Sequence, residues 1–354
     1  MKITVFMRSG DADAGYYLQA LGKACETSSI DVFRDSSSIA LNGVTYITTS
    51  LFRKGILKFL ERFFQALLEV KPDVYIGVYE IPHGLYAFIL SVLFRRKFVL
   101  SIIGNPGYTT VRKGLFLRVT KLMMAHADAI TVTGSSSKSI IEEMGFDGNK
   151  VFILPNTIPV ESFRAINKAN RHYDLISLGR ISPEKHVETI IYVVERLKKE
   201  GMSLKLAIAG SGDELESIRS LVDRSGLRDS IELLGYIPDS ELESFFNNGK
   251  VFILCSETEG FPRTILQAAS CGAAIVSSAV GDIPDIINNG ENGFLVTPYD
   301  NLDLYCDCVK TALKNTEQTR SMVNQLLKKI QMMFSFNAGS IVWKEIFEKT
   351  NHRG

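Results

Sequence analysis

The chain has 354 residues, of which 45% are hydrophobic and 22% are charged, so it can bury a core and is neither disordered nor fibrous. The 40 Lys and Arg residues balance the 39 Asp and Glu residues to a net charge of +1, which removes a whole-protein electrostatic argument for nucleic acid as a partner. At roughly 150 residues per domain, the length predicts about two domains.

The net charge differs between the two halves of the chain. Residues 1–170 carry a net charge of +6, and residues 171–354 carry −5. The five cysteines are scattered without a C-x-x-C pair, which indicates neither a disulfide framework nor a zinc site and favours a reduced, cytoplasmic setting. The longest mostly apolar uncharged run, 85–94, is about half of what a membrane-spanning helix needs, so no spanning segment is predicted.

Short apolar runs alternate with helical patterns throughout the chain, which is typical of repeated β-α units. Each half is therefore expected to form its own doubly wound parallel sheet. The polar stretch 160–172 has no apolar periodicity and is expected to link the two domains. The predicted strands are 2–7, 44–48, 73–78, 97–103, 128–133 and 151–154 in the first half, and 173–178, 204–209, 231–234, 251–254, 274–277 and 294–296 in the second.

The first candidate for chemistry follows the strand at 173–178. Arg180 and Lys185 flank Pro183, which suits the first turn of the amphipathic helix predicted over 187–199. Two cations beside the unpaired N–H groups of a helix N-terminus form an anion site suited to a phosphate or diphosphate. The alternative interpretation is a solvated loop with capping residues.

The second candidate follows the strand at 251–254. Ser256, Glu259 and Gly260 lie in this loop, and Gln267 lies inside the helix predicted over 262–271. A carboxylate before a helix and a carboxamide within it can hold the hydroxyl groups of a polyol, and glycine lets a ligand approach the backbone. Without other signals, an ordinary capped helix explains the same residues.

Two glycine turns lack the motifs of common nucleotide-binding loops. The turn at Gly210 lacks the third glycine of a dinucleotide fingerprint. The first loop, from Gly10 to Gly15, lacks the Lys-Ser/Thr of a Walker loop. A nicotinamide dehydrogenase and a P-loop enzyme are therefore disfavoured.

Residues 174–300 resemble the donor-binding domain of glycosyltransferase family 4, the retaining group 1 enzymes of the GT-B fold. The motifs, in order, are LGRISPEKHVETII, LAIAGSGDELESIRSL, IELLGYIPDSELESFF, VFILCSETEGFPRTILQAASCGAAIVSS and VGDIPDIINNGENGFLV, and the first half is similar more loosely through AHADAITVTGSSSKSII and VFILPNTI. The resemblance implies an α/β chain of two Rossmann-like doubly wound parallel-sheet domains facing a central cleft. Residues 1–165, joined by a C-terminal helix at about 336–354, would bind the acceptor, and residues 166–335 would bind the donor.

The resemblance implies a nucleotide diphosphate sugar as donor, with UDP favoured by family frequency. Arg180 and Lys185 match the family's diphosphate-binding pair, and Glu259 matches the first acid of its Glu-x7-Glu motif, which contacts the donor sugar; these three are the expected catalytic residues. Gln267 stands where the family has the second acid, which binds the ribose, and a carboxamide holds a diol more weakly by ~1 kcal/mol. The residues expected to bind the donor are Gly210, Ser256, Gly260, Phe261 and Gln267.

The resemblance also sets expectations for the acceptor and for cofactors. The acceptor would be a glycan or a lipid-linked glycan in the biosynthesis of a bacterial surface polysaccharide, such as lipopolysaccharide or capsule. The leaving phosphate helps to deprotonate the acceptor, so neither a cofactor nor a metal is expected. Many members carry a histidine after the strand here at 97–103, where this chain has Asn105, and His83 either replaces it or is a loop histidine without a catalytic role. The acceptor-side candidates are Gly10, Asp11, His83 and Asn105.

Basic residues are concentrated between 50 and 121, where 12 basic residues face 4 acidic ones among interleaved aromatic and aliphatic residues. The segments 52–68 and 111–121 are predicted to be amphipathic helices. They would either lie on an anionic membrane, at the inner face of the plasma membrane, or place their apolar residues in the core and a basic face in solvent. Helix-turn-helix, RNP and zinc signatures are missing from the sequence, so nucleic acid is not expected as a partner.

Two alternatives to a transferase stay open. A nucleotide-sugar 2-epimerase shares the GT-B fold, but it is not expected to carry Arg180, Lys185 and Glu259 in this order. A degenerate, non-catalytic subunit that binds a partner transferase is favoured by Gln267 and by the missing histidine, whereas the retained Arg180, Lys185 and Glu259 argue against it.

Overall fold

The computed structural model describes residues 1–7, 11–25, 29–35, 40–48, 55–69, 71–106, 114–166, 171–314 and 317–351. The chain divides into two compact units. Unit 1 comprises Met1–Thr157 and Phe336–Gly354, and unit 2 comprises Ile158–Ser335. The division therefore precedes the boundary at 165/166 that the sequence suggested.

The first unit is built on a seven-stranded parallel sheet in the order β3-β2-β1-β4-β5-β6-β7. Its strands are β1 Lys2–Phe6, β2 Ser29–Arg34, β3 Val44–Thr48, β4 Val74–Val78, β5 Lys97–Ser101, β6 Ala129–Val132 and β7 Val151–Ile153. Its helices are α1 Asp11–Ala24, α2 Gly55–Glu69, α3 Leu85–Phe94, α4 Leu115–His126, α5 Ser135–Glu143 and, at the far end of the chain, α12 Phe336–Asn351.

Strand β2 was missing from the predicted strands, because two charged residues interrupt its apolar pattern. Asp31 and Arg34 are nevertheless buried, and Asp31 lies 3.4 Å from the ammonium group of Lys2 on the neighbouring strand. A charged side chain enters a sheet when a partner compensates for its lost hydration, and that partner is distant in sequence.

The second unit contains a six-stranded parallel sheet in the order β10-β9-β8-β11-β12-β13. Its strands are β8 Tyr173–Leu178, β9 Leu206–Ala209, β10 Ile231–Gly235, β11 Gly249–Leu254, β12 Ala274–Ser278 and β13 Phe294–Val296. Its helices are α6 Val187–Lys199, α7 Leu215–Arg224, α8 Leu242–Asn247, α9 Arg263–Ser270, α10 Leu302–Leu313 and α11 Glu317–Met333. All six strands predicted for this half are present, and the expected pair of doubly wound parallel sheets is confirmed.

The described residues of the segment 160–172, which are 160–166 and 171–172, belong to unit 2, although the polarity of the segment predicted a separate linker. Phe163 is buried and packs edge-on against Phe246. The buried guanidinium of Arg171 donates to the carbonyl of Gly249, and also to that of Cys271 over 2.5 Å. These contacts depend on single side chains, which leave no periodic pattern in the sequence.

Each sheet carries a separate hydrophobic core on each face. In unit 1, α1 and α12 pack together on one face, where Tyr17 lies edge-on to the buried Trp343 with ring centroids 5.6 Å apart. All five cysteines are buried. Among the described residues, no helix is both long and apolar enough to cross a membrane.

Candidate active site

The candidate site lies at the carboxyl edge of the sheet in unit 2, where the strand order reverses. From β8, the chain adds β9 and β10 on one side and then β11, β12 and β13 on the other. In open α/β sheets, ligands bind in the crevice outside the carboxyl ends of the strands at such a switch point. The loops after β8 and β11, which the sequence selected as the two candidates, both emerge there.

The loop after β8 presents cations at the start of a helix. A single helical turn, Pro183–Lys185, leads through His186 into α6. Arg180 is exposed, and Lys185 is half-buried. The free N–H groups of the first turn of α6 add positive potential to that of the two side chains.

Glu184 lies between the two cations and stays ionised. A hydrogen bond of 2.7 Å from the Ser182 hydroxyl is the main cause that lowers the pKa of Glu184, and the charges of Lys185 and Arg180 lower it further. The carbonyl oxygen of Glu184 also accepts a hydrogen bond of 2.9 Å from the N–H of Glu257. The backbone of this turn is thus tied to the loop after β11.

An ion pair joins the two loops. The Lys185 ammonium donates to Glu259 Oε1 over 2.5 Å, and the buried Ser256 hydroxyl donates to the same oxygen over 2.8 Å. Both contacts go to Oε1, so Oε2 remains available to accept from a ligand hydroxyl. Lys185 has three N–H donors, of which this pair uses one.

Two neighbouring loops pack against the site through glycines that have no room for a side chain. A Cβ on Gly210, whose φ is +137°, would lie 1.8 Å from the carbonyl oxygen of Gly179. A Cβ on Gly281, whose φ is +57°, would lie 2.1 Å from the carbonyl oxygen of Glu259. Gly210 therefore acts here by allowing close backbone packing.

Helix α9 begins directly after the acidic loop. Phe261 is buried and stacks on Phe334 with ring centroids 4.9 Å apart, which fixes the backbone on either side of it. Gln267 lies about one turn into the helix and is 5% exposed. Its carboxamide makes no hydrogen bond to another described residue, and its polar atoms keep some contact with solvent, so a donor and an acceptor are available to a ligand.

His186 and Tyr299 extend the site, although sequence reasoning assigned no role to either. The ring of His186 lies 4.9 Å from that of Tyr299. Its two nitrogens contact the carboxylates of Glu188 at 2.9 Å and Glu257 at 3.5 Å. The position of His186 directly after Lys185 was the only available sequence signal, whereas Tyr299 becomes a neighbour only through the fold.

The acceptor-side candidates lie in unit 1 and are partly described. Gly10 lies outside the described residues, and Asp11 begins α1, but its side chain is not described. His83 follows β4 in the turn Glu80–Gly84 and is buried, with 4% of its surface exposed. Asn105 follows β5 and is half-buried. The three described candidates thus follow β1, β4 and β5 at one edge of this sheet.

A polar cavity lies at the opposite, amino edge of the sheet in unit 1. Its volume is about 680 Å³, and Arg95, Arg96, Asp73 and Asp128 contribute to its lining. These residues precede strands or end helices, so the cavity is distinct from the candidate acceptor edge.

Family models match almost the whole chain. Residues 160–329 match the model of the glycosyl transferases group 1, and residues 8–157 match that of the glycosyl transferase 4-like domain. The chain belongs to the group 1, family 4 glycosyltransferases. The resemblance stated from the sequence is therefore confirmed.

Solved structures with the same fold include two that cover this glycosyltransferase almost entirely. Sucrose-phosphate synthase from Thermosynechococcus elongatus aligns with a TM-score of 0.86 at 17% identity over 100% of both chains. Anabaena Alr3699/HepE in complex with UDP-glucose aligns with a TM-score of 0.82 at 16% identity over 99% of this chain and 100% of its own. At these identities the likeness shows the GT-B fold alone.

Curated relatives match only part of this chain and part of their own length. The putative colanic acid biosynthesis glycosyltransferase WcaL from Salmonella typhimurium is 24% identical over 206 residues, which are 56% of this chain and 51% of that protein. The chain spans about half the length of the first curated relatives that it matches.

Proposed function

We propose that this glycosyltransferase moves a sugar, with retention of configuration, from a UDP-sugar to a glycan or lipid-linked acceptor in the biosynthesis of a surface polysaccharide. The observation that carries the proposal is the pair of Lys185 and Glu259, set beside Arg180 at the start of α6. A UDP-sugar is supported by the complex of the Anabaena neighbour, and a polysaccharide product by the name of the Salmonella relative. A lipid-linked acceptor would place the reaction in the cytoplasm, at the inner face of the plasma membrane.

The donor would be bound by groups from both loops of unit 2. Arg180, the remaining N–H donors of Lys185 and the first turn of α6 bind the diphosphate. Glu259 Oε2 accepts from a sugar hydroxyl, while Lys185 and Ser256 hold the carboxylate by Oε1. Gln267 hydrogen-bonds to the ribose diol, and the backbone N–H groups of Gly260 and Phe261 bind the sugar and phosphate oxygens.

In the reaction, the bond between the anomeric carbon and the diphosphate oxygen breaks as negative charge grows on the leaving group. Arg180 and Lys185 stabilise that charge, which is the largest contribution to catalysis that the site offers. The acceptor oxygen forms its bond to the anomeric carbon on the face from which the diphosphate leaves. The acceptor proton passes to a phosphate oxygen of the leaving group, so the protein need only position the two substrates.

The test combines nucleotide binding with product analysis. A nucleotide at 100 times its dissociation constant stabilises the protein by ~2.7 kcal/mol, which raises Tm by several degrees. UDP is expected to give this shift in contrast to GDP and ADP, and Arg180→Ala is expected to abolish it. The matched control is Arg224→Ala, which alters an exposed arginine at the C-terminal end of α7 and should leave the shift unchanged.

Product analysis then separates the alternatives. With a UDP-sugar and an acceptor, NMR should show a new glycosidic bond with the anomeric configuration of the donor. An inverted linkage would exclude the retaining reaction, and an epimerised nucleotide sugar would identify an epimerase. Binding of no nucleotide, with no release of UDP from any UDP-sugar, would instead support the non-catalytic subunit.

A further inference from the structure

The outer surface of helices α2, α3 and α4 of unit 1 is apolar and basic. The three helices cover the same face of the sheet, because Ala66 of α2, Leu90 of α3 and Met123 of α4 are buried in one core. Their outward sides carry large apolar residues in place of the polar residues that usually cover such helices. We call this outward side the α2–α4 surface; it comprises Leu57, Leu60, Phe64 and Leu68 of α2, Val92 and Leu93 of α3, and Leu115, Arg118, Lys121 and Leu122 of α4.

Helix α2 contributes a continuous apolar stripe. Four residues spaced three, four and four positions apart share one side of the helix, and their exposed fractions range from 40% to 83%. The opposite side is anchored, since the buried Arg62 donates to Asp35 over 2.5 Å and Ala66 is fully buried. The stripe therefore cannot turn into the core. Its residues are Leu57, Leu60, Phe64 and Leu68.

Helices α3 and α4 continue the surface with apolar residues beside cations. Neither helix contains an acidic residue. The apolar residues are 46% to 77% exposed, and the cations are exposed as well. The apolar members are Val92, Leu93, Leu115 and Leu122, and the basic members are Arg118 and Lys121 of α4. Arg95 and Arg96 follow α3 and line the polar cavity together with Asp73 and Asp128.

We propose that the α2–α4 surface docks this protein on an anionic lipid bilayer. Apolar side chains enter the boundary between headgroups and acyl chains, and neighbouring Arg and Lys residues bind the anionic headgroups. A second copy of the same surface is a poorer partner, because self-association would place Arg118 and Lys121 of one copy opposite the cations of the other. The proposal does not depend on the donor, the acceptor or the transfer reaction.

Of the two sequence interpretations of these segments, the structure favours the membrane surface. The segments 52–68 and 111–121 correspond to α2 and to the first part of α4, whereas residues 52–54 and 111–113 lie outside the described residues. The alternative interpretation, a solvated basic face, requires the apolar residues of α2 to lie in the core. Ala66 lies in the core, but the four residues of the apolar stripe are exposed.

The test is co-sedimentation of the full chain with large unilamellar vesicles of phosphatidylcholine, with and without about one third phosphatidylglycerol. Binding is expected only with the anionic vesicles and is expected to weaken as salt is raised. Leu60→Ser combined with Phe64→Ser should lower the vesicle affinity by at least about tenfold, because two exposed apolar side chains are lost. Arg118→Glu combined with Lys121→Glu should lower it on anionic vesicles by a similar factor.

The control is Ile341→Ser, which removes an apolar residue that is 66% exposed from α12 on the other face of the same sheet. Its affinity for the vesicles should equal that of the unchanged protein, and the Tm of every variant should stay within a few degrees. Equal binding of all variants, or no binding to anionic vesicles, would overturn the proposal. If Phe64→Ser instead dissolves a dimer seen by light scattering and no vesicle binding occurs, the surface is an interface between two copies.

Discussion

Replacing Gln267 by glutamate should destabilise the free protein and strengthen the binding of UDP. The side chain is 5% exposed, and no described group donates a hydrogen bond to it. An ionised carboxylate at this place loses most of its hydration without a compensating partner. With a bound nucleotide, the same carboxylate accepts charge-assisted hydrogen bonds from the ribose hydroxyls.

The destabilisation of the free protein should depend on pH with a definite sign. Burial raises the pKa of the new carboxyl above the ~4.3 of an unfolded glutamate. The variant should therefore match the unchanged protein below about pH 4 and lose stability as the pH rises through the folded-state pKa. At pH 8 a loss of about 3 kcal/mol is expected, which lowers Tm by roughly 6 to 12 °C for a unit of this size.

The gain in binding should be smaller than the loss in stability. Exchanging a neutral for a charged hydrogen bond is worth ~1 kcal/mol, which corresponds to about a fivefold lower dissociation constant for UDP. Thermal unfolding from pH 4 to pH 8 measures the first effect, and titration calorimetry with UDP measures the second. Gln325→Glu, on the exposed side of α11, is the matched control for the added charge and should show neither effect.

The two measurements separate the parts of this argument. A Gln267→Glu protein that is as stable as the unchanged one at pH 8 would show that a carboxylate at position 267 keeps its hydration in the folded protein. A stability loss without tighter UDP binding would remove Gln267 from the ribose site. Either result would refute the reasoning from its position on α9.

Two further predictions concern packing and charge in the individual units. Gly210→Ala should lower the free energy of unfolding, measured in urea, by more than about 3 kcal/mol, because its Cβ overlaps the Gly179 carbonyl. In the control Gly22→Ala on α1, the Cβ meets open space, so the change should be neutral or stabilising by up to about 1 kcal/mol. Equal urea midpoints for the two variants would contradict this prediction. Partial burial raises the pKa of Asp35, but the hydrogen bonds from Lys58 and Arg62 outweigh it and lower the pKa to about 2. Asp35→Asn should therefore lower the free energy of unfolding at pH 7 by up to roughly 1 kcal/mol, a small value because solvent screens this carboxylate. The difference from the unchanged protein should vanish as the pH falls from about 4 to 2. A constant difference over that range would show that the protonation of Asp35 is not coupled to folding.

The sequence alone determined the fold and the family, because both depend on patterns that are local along the chain. Apolar runs separated by helical patterns indicated two parallel sheets, and unit 2 carries each strand that they predicted. The order of short motifs around Arg180, Glu259 and Gln267 indicated the family. Parallel strands end at one edge of a sheet, so the loops after β8 and β11 could also be expected to meet.

Only the tertiary structure decided which charged and apolar groups have partners. The pairing of Lys185 with Glu259 joins residues that are 74 positions apart, and the burial of Asp31 in β2 depends on Lys2 of another strand. Periodicity shows that Phe64 shares a side of α2 with other apolar residues, but not whether that side meets the sheet or the solvent. That choice is made by the buried Arg62, which pairs with the exposed Asp35, since a guanidinium enters the interior only where a carboxylate compensates for its lost hydration.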